Sequence, residues 1–181
     1  MKTRLSVLLL FVFVTGAYGQ LEQRIARTPK VNYDWRSGFI SITELTGAIG
    51  LADTESDLSK YYYGLTTVAG YQFTRNIKAG AGIGFHTHND GTLFPVFLDM
   101  RFSFNAQEFV PFFAGSGGIM LDFSELDDTR IFINPSAGIR YVAGNRTGVS
   151  FSTGLMVTTG GPQARKSFLN FRLGIEFKGR V

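Results

Sequence analysis

The stretch Phe168-Leu169-Asn170-Phe171-Arg172-Leu173-Gly174-Ile175-Glu176-Phe177-Lys178 decides the fold. From Leu169 onward, large apolar side chains alternate with Asn170, Arg172, Gly174 and Glu176. A period of two sends the apolar set to one side of a strand and the polar set to the other. Such a strand lies between two different media. The alternation recurs upstream, and the chain begins with an export pattern, which leaves two architectures: a soluble exported β domain, or a barrel set in an outer membrane.

Residues 1–19 read as a cleaved secretory signal. Lys2 and Arg4 form its basic start, Leu8 to Val14 its apolar core, and Ala17 and Gly19 the small residues before cleavage, with Gln20 as first mature residue. The apolar run is shorter than the ~20 residues of a spanning helix. Residues 20–37 are polar, of mixed charge, and contain Pro29. They are expected to form an N-terminal periplasmic tail, leaving 38–181 for the barrel. Trp35, near the end of the tail, suits either a membrane interface or an ordinary hydrophobic contact.

Cysteine is absent, which removes disulfides, thiolate metal sites and cysteine nucleophiles. The formal charge is +4, from 18 basic and 14 acidic residues, and loss of the leader removes two of the basic ones. No basic run is present, so composition offers nothing to a nucleic acid. Glycine at 22 and phenylalanine at 18 fit aromatic strands relieved by positions where backbones or bulky rings need room.

Eight strands are predicted: Gly38–Leu51, Tyr61–Phe73, Ile77–His86, Leu93–Phe104, Phe109–Phe123, Arg130–Tyr141, Thr147–Thr158 and Ser167–Lys178. Each has the length of a tilted membrane strand. No helix is predicted in the mature chain. Thr74 to Asn76, Asn105 to Glu108 and Val142 to Arg146 are short turns. Ala52 to Lys60, Thr87 to Thr92, Ser124 to Thr129 and Thr159 to Lys166 are mostly longer loops. An even strand number puts every short turn at one end and every loop at the other, the asymmetry of an outer-membrane barrel with both termini periplasmic. Neighbour-to-neighbour pairing is the simplest topology.

Charges assign the faces. In the fourth strand Phe94, Val96, Leu98, Met100, Phe102 and Phe104 oppose Asp99 and Arg101. In the third, Ile77, Ala79, Ala81, Ile83 and Phe85 oppose Lys78, Gly80, Gly82 and Gly84. Ile131, Ile133, Ala137 and Ile139 oppose Asn134, Ser136 and Arg140, while Val149, Phe151, Leu155 and Val157 oppose Ser150, Ser152 and Gly154. A basic side chain facing lipid at mid-depth costs about 2–4 kcal/mol, so the charged parity belongs inside. In the first and fifth strands the assignment stays open, because Glu44 shares parity with Ile40 and Ile42, and Asp122 with Val110 and Phe112. The polar face is mostly Gly, Ser, Thr and Asn with isolated charges of both signs, which suits a narrow lumen better than a solvated sheet. Tyr61, Tyr63, Tyr71, Phe73, Phe94, Phe102 and Phe104 near strand ends suit interfacial girdles.

On these residues the chain resembles the small outer-membrane β-barrel domain family of Gram-negative bacteria. The resemblance runs through Gly70-Tyr71-Gln72-Phe73-Thr74, Ala79-Gly80-Ala81-Gly82-Ile83-Gly84-Phe85 and Phe94-Pro95-Val96-Phe97-Leu98-Asp99-Met100-Arg101. It continues in Pro111-Phe112-Phe113-Ala114, Ile133-Asn134-Pro135-Ser136-Ala137-Gly138 and Phe171 to Phe177. It implies outer-membrane lipids and the barrel assembly machinery as partners, and a terminal aromatic read by that machinery. Here Phe177 is followed by Lys178-Gly179-Arg180-Val181. The family implies fold and location more than activity.

The candidate sites are few. Lys78, Asp99, Arg101, Arg140, Arg172 and Glu176 read as barrel-interior charges, either an ion-pair network filling a narrow barrel, which is favoured, or a pore lining. His86 and His88, with Asp90, fall short of a metal ligand set and read as polar residues at the loop rim. Either histidine beside Ser116 or Ser124 would resemble a hydrolase pair, but no nucleophile elbow is present. Gly80, Gly82 and Gly84 precede no helix and form no phosphate loop. The reading is an eight-stranded antiparallel up-and-down transmembrane barrel with a structural or surface-interaction role. It expects a monomer with no enzymatic activity, cofactor, metal or nucleic acid. The rivals are a narrow solute channel, a lipid-modifying enzyme and a soluble secreted β domain.

Overall fold

The computed structural model describes residues 32–51, 60–89, 91–122, 129–159 and 166–179. The leader, residues 20–31, Asp90, Ser124 and most of the longer loops lie outside them. The strands are β1 (Gly38–Gly50), β2 (Tyr61–Gln72), β3 (Ile77–His88), β4 (Gly91–Ser103), β5 (Phe109–Asp122), β6 (Arg130–Val142), β7 (Thr147–Thr159) and β8 (Lys166–Lys178). Each pairs antiparallel with its sequence neighbours, and β1 pairs with β8 from Ile40↔Lys178 to Gly50↔Phe168, so the sheet closes on itself. Closure removes both sheet edges, leaving the ladder no unpaired row of backbone groups.

The faces follow the period-two pattern. Every strand sends large apolar side chains outward, among them Phe39 (74% exposed), Leu98 (71%) and Ile83 (65%). A soluble protein seldom exposes contiguous apolar patches beyond a few hundred Å², whereas here the belt surrounds the barrel. The lumen receives the strand charges Glu44, Lys78, Asp99, Arg101, Arg140, Arg172 and Glu176, with polar side chains such as Thr46, Ser152 and Asn170 between them. Near the turn end, edge-to-face ring pairs link Phe39 to Tyr71, Tyr71 to Phe73, and Phe102 to Phe104 to Phe113. Tyr61 and Tyr63 mark the loop end on the outside.

Three expectations are revised. First, β3 continues through His88 and β4 starts at Gly91, so Thr87, His88, Gly91 and Thr92, expected in a loop, lie in strands. His86 and His88 then share the lumenal parity, and both are buried inside the barrel instead of lying on the rim. Second, the open question in β1 and β5 resolves inward: Ile40, Ile42, Val110 and Phe112 are buried in the lumen, and so is Glu44. A barrel this narrow fills with side chains of either polarity. Third, the segment 32–37, expected as the end of the N-terminal tail, packs against the turn end of the barrel.

Phe97 shows how the lumen is fitted. It is paired with Gly82 on β3 and Gly118 on β5. A Cβ on Gly82 would stand 2.4 Å from the Phe97 ring, and one on Gly118 would stand 2.8 Å from its Cβ. Gly82 makes the slot in which the ring lies, and Gly118 lets the β4 backbone approach at the root of the same side chain. Gly82→Val is expected to destabilise the barrel by about 1–3 kcal/mol through overpacking. Gly115→Ala should be nearly neutral, since that position faces open space. Chemical unfolding in detergent would measure both.

Candidate functional site

All six predicted interior charges are buried in the lumen, where Glu44 joins them. The register sets Lys78 on β3 directly opposite Arg101 on β4. Like charges so placed repel. Each escapes by turning to a different carboxylate. Lys78 crosses the lumen to β8, where its Nζ donates to Glu176 Oε1 and Oε2 at 2.5 and 2.6 Å. Arg101 Nε donates to Asp99 at 2.7 Å, and its Nη2 lies 3.0 Å from Glu44.

Two clusters result. Toward the middle, Glu44 lies between Arg101 and Arg172, whose Nη1 donates to it at 3.2 Å, and Arg172 Nη2 also donates to Ser136 Oγ. With Asp99 included, the charges of this cluster balance. Toward the turns, Glu176 accepts from Lys78, from Arg140 Nη1 at 2.6 Å and from the Tyr33 hydroxyl at 2.6 Å. Here two cations share one carboxylate.

The segment before β1 meets that surplus. The Arg140 guanidinium carbon lies 5.1 Å from the Tyr33 ring centre and 5.4 Å from that of Trp35. Aromatic faces attract a desolvated cation by ~2 kcal/mol. Tyr33 also packs with Val110 and Val142, with Trp35 and Ala106 beside them. Trp35 is thus a lid contact, stacked on its outer side by Arg75 at 4.5 Å. The strap is tied to the wall through carbonyls: Gln72 Nε2 donates to Trp35 and Arg36, and Lys178 Nζ donates to Asp34 and Arg36. Arg36, hydrogen-bonded to Asp34, holds its carboxyl well below the usual carboxylate range. Burial, then the neighbouring Glu176, pushes the Tyr33 hydroxyl above the usual phenol range, so it stays a donor.

The loop-end part of the lumen is aromatic. Tyr62 stacks on His86 at 4.6 Å and lies 5.1 Å from His88, with Phe168 edge-on to Tyr62. The Tyr62 hydroxyl donates to Met156 Sδ at 3.5 Å, and Phe97 and Phe132 close the layer below. Ser116, His86 and Asn134 line one cavity of about 20 Å³. That set suggests hydrolase chemistry, but His86 has no hydrogen-bond partner on either nitrogen. The space admits nothing larger than a water molecule. Among the described residues, no three His, Cys, Asp or Glu side chains are placed to hold a metal.

Sequence reasoning missed Glu44 and Tyr33. The six predicted charges comprise four cations and two carboxylates, an imbalance that a low-dielectric lumen penalises. A further inward carboxylate was therefore to be expected, and Glu44 stood on a predicted strand. Tyr33 carried no comparable signal.

No protein-family model matches the chain, and no curated protein matches it. Among solved structures it is similar to Neisserial surface protein A, at 12% identity over 80% of this chain and 99% of that one, with TM-score 0.60. It is similar to a de novo designed transmembrane β-barrel, at 11% identity over 81% and 100% with TM-score 0.50. It also matches the N-terminal β-barrel domain of Pseudomonas aeruginosa OprF, at 16% identity over 78% and 100% with TM-score 0.46. At these identities the first two likenesses speak to fold: the closed antiparallel barrel of small transmembrane proteins.

Proposed function

We propose that this chain is an integral barrel of the outer membrane, made as an exported precursor, whose solid interior serves as a rigid post for the loops it carries. One observation supports the reading above others: an apolar belt encircles the barrel while charged side chains pair inside it. Water outside would favour the reverse arrangement. The name of Neisserial surface protein A fits a surface-interaction role for the loops. The partners are outer-membrane lipids and the assembly machinery. The barrel acts as a monomer and is not an enzyme.

A narrow channel is the weaker reading. The lumen is filled from the Tyr33 strap to the Tyr62 layer, with a cavity of about 20 Å³ between. Fractionation followed by electrophoresis of boiled and unboiled samples tests the proposal. The chain should enter the outer-membrane fraction and migrate differently when unboiled. Planar-bilayer recordings should stay silent for both the parent and Arg101→Ala. Recovery as a detergent-free periplasmic monomer would overturn the membrane assignment. Conductance altered by Arg101→Ala would replace the post with a pore.

A further inference from the structure

The small cavity lies between the ion-paired middle of the lumen and the rings above it. Among the residues lining it are Thr46, Tyr62, His86, Ser116, Asn134 and Arg172. Among the described residues, both ring nitrogens of His86, Thr46 Oγ1 and Arg172 Nε have no hydrogen-bond partner, although each is shut off from solvent. The His86 side chain is in a residue only 5% exposed. Buried polar atoms in native proteins are paired, with protein or with ordered water. Four unpartnered atoms on three residues lining one cavity therefore point to an occupant.

We propose that this cavity is a binding site for one ordered water molecule bridging His86, Thr46 and Arg172. Three observations select water. The volume of about 20 Å³ exceeds the ~10–15 Å³ that one water requires and leaves no room for a polyatomic ion. No carboxylate lines the cavity while a guanidinium does, which disfavours a cation. A halide accepts hydrogen bonds only, and Arg172 is already paired with Glu44. Water can either donate to or accept from one ring nitrogen of a neutral imidazole, as a halide cannot, and it can accept from Arg172 Nε as well. The water thus links the polar middle of the lumen to its aromatic end.

A high-resolution crystal structure of the barrel, grown with bromide in place of chloride, tests this together with two variants. A single solvent peak should stand within hydrogen-bond distance of His86, Thr46 and Arg172, with no bromide anomalous signal. His86→Phe keeps a ring against Tyr62 but displaces the water, so the unboiled form should convert at a lower temperature than the parent. A dry cavity predicts the opposite, since two unpartnered nitrogens would be replaced by hydrocarbon. Thr46→Val is near-isosteric, repeats the test if His86→Phe does not fold, and should likewise convert at a lower temperature. An empty cavity, a bromide peak, or a higher conversion temperature in the informative variant would overturn the site.

Discussion

Glu176→Gln is expected to destabilise the folded barrel by about 3–5 kcal/mol, the cost of breaking a buried ion pair from one side. Glutamine preserves the volume, so the loss reports charge. Without the carboxylate, Lys78 and Arg140 remain buried together with no counter-charge between them, and the Tyr33 hydroxyl keeps at best a neutral amide oxygen as its acceptor. The aromatic faces of Tyr33 and Trp35 offset only part of that for Arg140. Adding Lys78→Met removes the more fully buried cation, so the double variant should be more stable than Glu176→Gln alone. Contacting residues couple by about 0.5–3 kcal/mol, within reach of denaturant titration in detergent micelles. A water-filled lumen would behave otherwise. There the pair would be screened like a surface pair, worth about 0–1 kcal/mol, and Glu176→Gln would pass nearly unnoticed. The size of the loss thus separates a packed interior from an open one.

How much of this was legible depends on whether a residue acts through alternation or through contact across the lumen. In β3, β4, β6, β7 and β8 the charges and small polar residues keep to one parity, so the inward face could be read directly, although Phe97, Phe132, Met156 and Phe168 share that face. Side-chain period is a local property, whereas consecutive pairing was expected from the short connections between neighbouring strands. In β1 and β5 the lumen takes Ile42 and Val110 as readily as Glu44, and alternation there carries no sign. Glu44 becomes readable only once charge is balanced over the whole lumen, a non-local condition. His86 and His88 were misplaced for a different reason: Asn89 and Asp90 mark a turn, but nothing in Thr87 or Thr92 shows that the strands run up to it. The strap was least legible. Its contacts join residue 33 to residue 176 and residue 34 to residue 178, and no pattern within residues 32–37 announces them.

Leu98→Arg is the second large effect expected, and it addresses the medium outside the barrel. Leu98 stands midway along β4, opposite Ala81 and Gly117, and is 71% exposed. In hydrocarbon at mid-depth the new charge should cost about 2–4 kcal/mol, falling to about 0–1 kcal/mol near the interfaces. In water, a substitution at so exposed a position should stay within about 0.5 kcal/mol of zero. Refolding into lipid vesicles with denaturant titration distinguishes these outcomes. Phe104→Arg and Tyr61→Arg, at the turn and loop ends, supply the comparison. All three positions are outward-facing and apolar, so a general intolerance of arginine would lower all three alike. A bilayer predicts a graded result, largest at Leu98 and small at both ends. Three equal, near-zero values would mean that water reaches Leu98, and the apolar belt would then need a protein partner to cover it.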